Sequence, residues 1–109
     1  MSDTMDAVFQ ALAHPARRRV LDIVKNSPGC CVGEVASAFE MSRVAVMKHL
    51  AVLEEAGLVN SQKVGRTRRL YVNAAPIQMI YDRWTTEYSQ FWASQVTDLK
   101  FRLEAANKK

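Results

Sequence analysis

Cysteine is almost missing from this chain. Two of its 109 residues are cysteines, and they are adjacent, Cys30-Cys31. Neighbouring cysteines build no disulfide framework. Glycine and proline are scarce as well, at four and three. That leaves no composition for a flexible linker, and the isolated glycines make no phosphate-cradling loop. No apolar run reaches the roughly 20 residues of a membrane-spanning helix. The opening, MSDTMDAVF, has no basic-then-apolar leader pattern. Together these features predict a cytoplasmic chain with no membrane partner. Histidine occurs twice, as His14 and His49. No nucleophile–base set and no full ligand set accompanies either one. The chain is therefore expected not to be an enzyme and to need no cofactor.

What is present is an ordinary globular composition, 49% hydrophobic and 24% charged. At this length it predicts one domain, residues 1–109, with one modest core. Net charge is +4, which is compatible with a nucleic-acid partner, and the placement of the charge says more than its sum.

The most informative stretch is MSRVAVMKHLAVLEEAGLV, from Met41 to Val59. At helical spacing Val46, Leu50 and Leu53 share one face, and Val44, Lys48 and Glu55 share the other. Ser42 stands where an N-cap belongs, and Gly57 stands where a left-handed C-cap residue belongs. A short helix, Glu34 to Phe39, precedes this one across Glu40-Met41. That is a helix-turn-helix pattern, whose second helix enters the DNA major groove. Upstream, a first helix from Ser2 to Ala13 has Met5, Val8, Phe9 and Leu12 as its apolar stripe. A second begins at Pro15 and uses Val20, Leu21 and Val24. Arg17, Arg18 and Arg19 crowd its first turns and oppose its dipole, so they call for a nearby anion, a DNA phosphate being one candidate, or lie as solvated charges over apolar surface.

After Gly57 the period changes. VNSQKVGRTRRLYVN is two β-prone runs around Gly65-Arg66-Thr67, carrying Lys63, Arg66, Arg68 and Arg69 and no acidic residue. A basic hairpin directly behind a recognition-type helix reads as a wing, able to reach phosphates or a narrow minor groove. From Pro76 to about Ala105, Ile77, Ile80, Tyr81, Trp84, Tyr88, Phe91, Trp92, Leu99 and Leu103 recur at spacings of three and four. This predicts one long amphipathic helix, too apolar for a small domain to cover alone. A second copy of the chain is the expected cover, through Val8 and Leu12 of the first helix and Ile77, Trp84, Tyr88, Phe91, Trp92 and Leu99 of the last.

The fold class expected is thus mostly α with a small β-hairpin: four helices, a two-stranded wing and a long C-terminal fifth helix. That order resembles the ArsR-type winged-helix repressors of bacteria. ALAHPARRRVLDIV is similar to that family's opening, VGEVASAFEMSRVAVMKHLAVLEEAGLV to its helix-turn-helix, and KVGRTRRLYVN to its wing. The resemblance spans about Ala7 to Val72 and is looser beyond. It implies a homodimeric repressor that binds a palindromic double-stranded DNA operator. The residues expected at the DNA are Ser42, Arg43, Val44, Ala45, Met47, Lys48 and His49 on the recognition helix, with Lys63, Arg66 and Arg68 on the wing. Arg43 and Lys48 can donate to phosphates or guanine edges, and Val44, Ala45 and Met47 can touch thymine methyls. Met47 replaces the family's frequent serine.

The family's arsenic and cadmium sensors carry two cysteines separated by one residue at the start of the third helix. Here Cys31 matches the first position and Gly33 stands at the second. The family's zinc sensors use histidines and carboxylates of the last helix, where this chain has Asp82, Glu87 and Asp98 without a nitrogen partner. The expectation is a metal-independent branch, with no inducer specified by the residues. Two alternatives stand beside it. One is a repressor switched by thiol or metalloid chemistry at Cys30 and Cys31. The other is a winged helix that serves only as a protein-interaction module, which would not need a basic wing.

Overall fold

The computed structural model describes residues 3–85, 95–96, 98–100 and 102–104. Its elements are α1 (Asp3–Leu12), α2 (Pro15–Asn26), β1 (Cys30–Cys31), α3 (Val32–Ala36), α4 (Arg43–Glu55), β2 (Val59–Val64), β3 (Thr67–Val72) and α5 (Ala75–Thr85). Residues 95–96, 98–100 and 102–104 are helical. The chain divides into two compact units, Met1–Gln78 and Met79–Lys109. Tyr88, Phe91 and Trp92, expected at a dimer contact, lie outside the described residues.

The core of the first unit gathers residues from each of α1 to α4. Val8 and Ala11 come from α1, Val20 and Val24 from α2, Val35 from α3, and Val46, Leu50 and Leu53 from α4, all buried. Leu58, Val59 and Leu70 close it from the sheet side. The expected stripe of α4 is therefore the buried one. The stripe of α1 is corrected: Val8 is 2% exposed and has no area left for a partner, whereas Phe9 is 45% exposed. A helix this short turns one narrow strip inward, and Val8 with Ala11 fills it.

The ends of α4 decide where the chain goes next. At its start Ser42 Oγ accepts the Ala45 amide at 3.2 Å. At its end Ala56 is the C-cap and Gly57 follows at φ 79°. The Gly57 amide donates to Glu54 O at 3.0 Å and the Leu58 amide to Leu53 O at 2.9 Å. That is the paired bonding of a Schellman motif, with buried Leu58 and Leu53 as its apolar clasp. Asn73 fastens the returning wing to the same place: its Nδ2 donates to Gly57 O at 2.9 Å and its amide to Leu58 O at 2.8 Å.

The hairpin is tighter than the sequence suggests. Val64 pairs with Thr67, so the loop is Gly65-Arg66 alone and Thr67 belongs to β3. Gly65 has φ 64° and Arg66 has no positive φ, the pattern of a Gly-X two-residue turn. The sheet is also larger, with three strands in the order β1-β3-β2. Cys30 pairs with Leu70 and Cys31 with Arg69. A two-residue strand has no periodicity to read. Pairing with β3 creates it, supported by the Gly29 amide donating to Leu70 O at 2.8 Å.

α3 starts and stops earlier than its apolar spacing predicts, Val32–Ala36 rather than Glu34 to Phe39. Glu34 Oε1 accepts the Cys31 amide at 3.4 Å and pulls the start back. At the other end the Ala38 and Phe39 amides bond only three residues back, at 3.1 Å each, tightening the last turn.

Gly57 and Gly33 make a controlled pair. An added Cβ at Gly57 meets Pro76 Cγ at 3.7 Å, an ordinary contact, so the cost of Gly57→Ala is conformational. We expect Gly57→Ala to lower unfolding free energy by about 1–2 kcal/mol. Gly33→Ala, in a helix and 3.9 Å from Cys31 Sγ, should be neutral or stabilising by up to about 1 kcal/mol. Urea midpoints check both, and equal losses would contradict the C-cap assignment.

Candidate nucleic-acid interface

The first turns of α4 carry the expected surface. Ser42, Arg43, Val44, Met47 and Lys48 are exposed and Ala45 is half-buried, on the side away from Val46, Leu50 and Leu53. Val44 is 62% and Met47 45% exposed, so both apolar side chains are open to a partner. The wing stands beside this turn. Arg43, Met47, Arg66, Arg68 and Cys31 line one groove of about 320 Å³. Three arginines from α4 and the wing thus border one opening.

These cations are not equivalent. Arg68 forms an ion pair with Glu54 and also donates to Ser61 Oγ at 3.0 Å. Its charge is partly neutralised and its head is held along the strand. Lys63 and Arg66 are exposed. Arg69 donates to Gly29 O at 3.1 Å, tying the wing to the β1 turn.

The three arginines opening α2 find their negative partners inside the fold. Arg17 Nε and Nη2 donate to Ala11 O and Gln10 O at 2.9 and 2.8 Å, and Arg18 Nη1 donates to Leu12 O at 2.7 Å. Those carbonyls lie in the last turn of α1, where i→i+4 donors run out; Gln10 O also accepts the Ala13 amide at 3.2 Å. Arg19 Nη2 donates to Ala38 O at 2.7 Å, with its guanidinium 4.8 Å from the Phe39 ring centroid. The sequence supplied the charge run but not these acceptors, which exist only once helix ends meet in space. His14 caps α2 as expected, its Nδ1 accepting the Ala16 amide at 3.0 Å. His49, expected among the DNA contacts, is half-buried with its Nδ1 3.4 Å from Arg17 Nη1 and its ring 4.6 Å from that of His14.

The cysteines do not converge. Successive residues of a strand face opposite sides, so Cys30 enters the core at 4% exposure while Cys31 stays half-buried. Burial, with the charges of Glu34 and Cys31 adding to it, pushes the Cys30 thiol above its ordinary pKa. Cys31 Sγ donates to Glu34 Oε1 at 3.3 Å. Among the described residues no three metal-binding side chains cluster.

This constellation is a winged helix-turn-helix with its recognition turn and basic wing on one groove. The model of "Bacterial regulatory protein, arsR family" matches residues 14–61. The chain is 38% identical to the HTH-type transcriptional regulator Rv2034 of Mycobacterium tuberculosis, over 85% of this chain and 92% of that protein. It is 34% identical to the HTH-type transcriptional regulator YuzN of Bacillus subtilis, over 77% of this chain and 98% of that one. An ArsR-like transcriptional regulator from Rhodococcus sp. RHA1 superposes with a TM-score of 0.67 at 28% identity, covering 90% of this chain and 91% of its own. The chain belongs to the arsR family of bacterial regulatory proteins, and it is a DNA-binding transcriptional regulator.

The thiols should react unequally. Iodoacetamide at neutral pH should label Cys31 and spare Cys30 in the folded chain, with both labelled in denaturant. Mass spectrometry of the digested protein reads the ratio. Equal labelling of the folded chain would contradict the placement of Cys30.

Proposed function

We propose that this chain is a homodimeric repressor that occupies a palindromic operator in the bacterial cytoplasm and blocks transcription from it. In this reading the whole chain serves as one DNA-binding domain, and its last helix joins two copies. The observation that carries the reading is the shared groove of Arg43, Met47 and Arg66. It sets residues of a helix start and a hairpin tip side by side on one opening.

Each side chain then has a task. Ser42, at the helix N-cap, is placed for a phosphate hydrogen bond, because helix starts favour anions. Arg43 and Lys48 donate to a guanine edge or to phosphates. Val44, Ala45 and Met47 offer apolar contact to thymine methyl groups. Lys63 and Arg66 neutralise backbone charge from the wing. Arg68 contributes less, since Glu54 already holds it. His49 serves the interface from behind rather than by touching DNA.

Assembly supports the same reading. Ile77, Met79, Tyr81 and Trp84 of α5 are exposed at 41%, 71%, 57% and 59%, and Leu99 at 57%. Exposed apolar side chains of this size suit contact with a second copy. Two recognition helices one helical turn apart double the number of bases read. Leu12, half-buried in α1, has little area to add.

Two measurements test these roles on an operator selected from genomic fragments. Arg66→Ala should weaken binding and reduce the slope of log K against log salt by about 0.9, one phosphate's worth. Arg43→Ala should cost about 1–3 kcal/mol on the operator and less on random DNA. Equal loss on both would assign Arg43 to the backbone. For assembly, Trp84→Ala combined with Leu99→Ala should shift sedimentation toward monomer and remove operator binding with all DNA-facing side chains in place. A wild-type monomer that still binds the palindrome tightly would refute the dimer.

A further inference from the structure

His49 lies one residue from Lys48 on α4, yet its ring turns back onto α2. What it meets there is chemically specific. A guanidinium has only donors and does not lose its proton. The 3.4 Å approach of Arg17 Nη1 to His49 Nδ1 is therefore a hydrogen bond only if Nδ1 is the bare, accepting nitrogen. Arg17 has no freedom to move off. Its other nitrogens are committed to Ala11 O and Gln10 O at 2.9 and 2.8 Å. The second imidazole is used in the same way, since His14 Nδ1 accepts the Ala16 amide at 3.0 Å as the cap of α2. Two imidazoles 4.6 Å apart thus both act as acceptors through Nδ1, beside a fixed cation.

We infer that Arg17, acting through His49, is a positioning residue for the recognition helix, and that protonating His49 opens this joint and weakens operator binding. The inference rests on the DNA-binding reading of α4. It concerns how that helix is held rather than what it touches.

The charges around the joint all have one sign. From the N-cap and first turn of α2 come His14 and Arg17, and from α1 come the carbonyls that hold Arg17. No other charged group shifts His49, from α4 or elsewhere among the described residues. A proton on His49 would meet a guanidinium and a second imidazole with no carboxylate to offset it. Burial, then His14, then Arg17 hold the His49 pKa below its ordinary 6.5. The sign follows from linkage. A histidine with a depressed folded pKa binds its proton more readily when released. The joint is at full strength above about pH 6.5 and weakens as pH falls through the folded value.

The chain has two histidines, so the test has little background between about pH 5.5 and 7.5, where other side chains seldom titrate. His14→Asn with His49→Asn removes both imidazoles and keeps an oxygen near each Nδ1 position, and asparagine is itself a favoured N-cap. Operator binding of the full chain is followed by fluorescence anisotropy at constant salt, with circular dichroism confirming the fold at each pH. Wild type should lose about tenfold in affinity on going from pH 7.5 to 5.5, the loss of one charge-assisted hydrogen bond. The double variant, whatever its affinity at the higher pH, should change less than about twofold between the two pH values. Arg17→Gln, which keeps a donor without the charge, should flatten the profile in part. Wild-type affinity that stays constant or rises on acidification, or a double variant that follows the wild-type profile, would overturn the inference while leaving DNA binding intact. Wild type that binds no DNA at either pH would overturn both.

Discussion

Everything in the first unit depends on α4 being buried along one stripe and left bare along another. Val46, Leu50 and Leu53 lie in the core while Arg43, Val44, Met47 and Lys48 do not. Burying each large aliphatic side chain is worth about 1.5–3 kcal/mol. The Ser42 cap is worth about 1 kcal/mol. The stripe therefore sets the rotation of the helix about its axis, and the caps set where it begins and ends. Turning the helix by a third of a revolution would drop Lys48 into the core and lift Leu50 into water. The side proposed to face DNA is the side that the core does not take.

The surrounding elements hold this helix by its ends and its back. At the C-terminal end Gly57, Leu58 and Asn73 reverse the chain, so the wing returns beside the recognition turn. Behind it, Arg17 and Arg18 bridge the end of α1 and the start of α2, and Arg19 grips the turn that leads into α4. Three cations at a helix start look unfavourable against its own dipole. Here they satisfy carbonyls at the ends of two other helical segments, which carry the opposite partial charge. Charge that resembles a DNA-binding patch in the sequence is thus largely spent on holding helices together. The exposed cations proposed for DNA are Arg43 and Lys48 on α4 and Lys63 and Arg66 on the wing.

This division explains what could be read in advance. Features that depend on near neighbours in the chain were legible: the apolar spacing of α4, Ser42 before it, Gly57 after it, and the two β-prone runs of the basic hairpin. Features that depend on distant partners were not. β1 exists because Cys30 and Cys31 meet Leu70 and Arg69. Arg68 counts among the free cations until Glu54 is found beside it. Val8 and Phe9 are equally apolar, and only packing decides that the first is core and the second surface. His49 sits at a DNA-facing position by sequence, and only the tertiary contact with Arg17 turns it inward.

The central claim is that the first turn of α4 and the wing tip engage DNA together, from one groove. Backbone amide shifts of the isotope-labelled chain, followed as its selected operator is added, test it most directly. The account predicts that the largest changes fall at residues 42–48 and 63–67, and that the core amides of α2, Val20 and Val24, move little. Changes centred on α1 and α2, with the start of α4 and the wing unmoved, would contradict it.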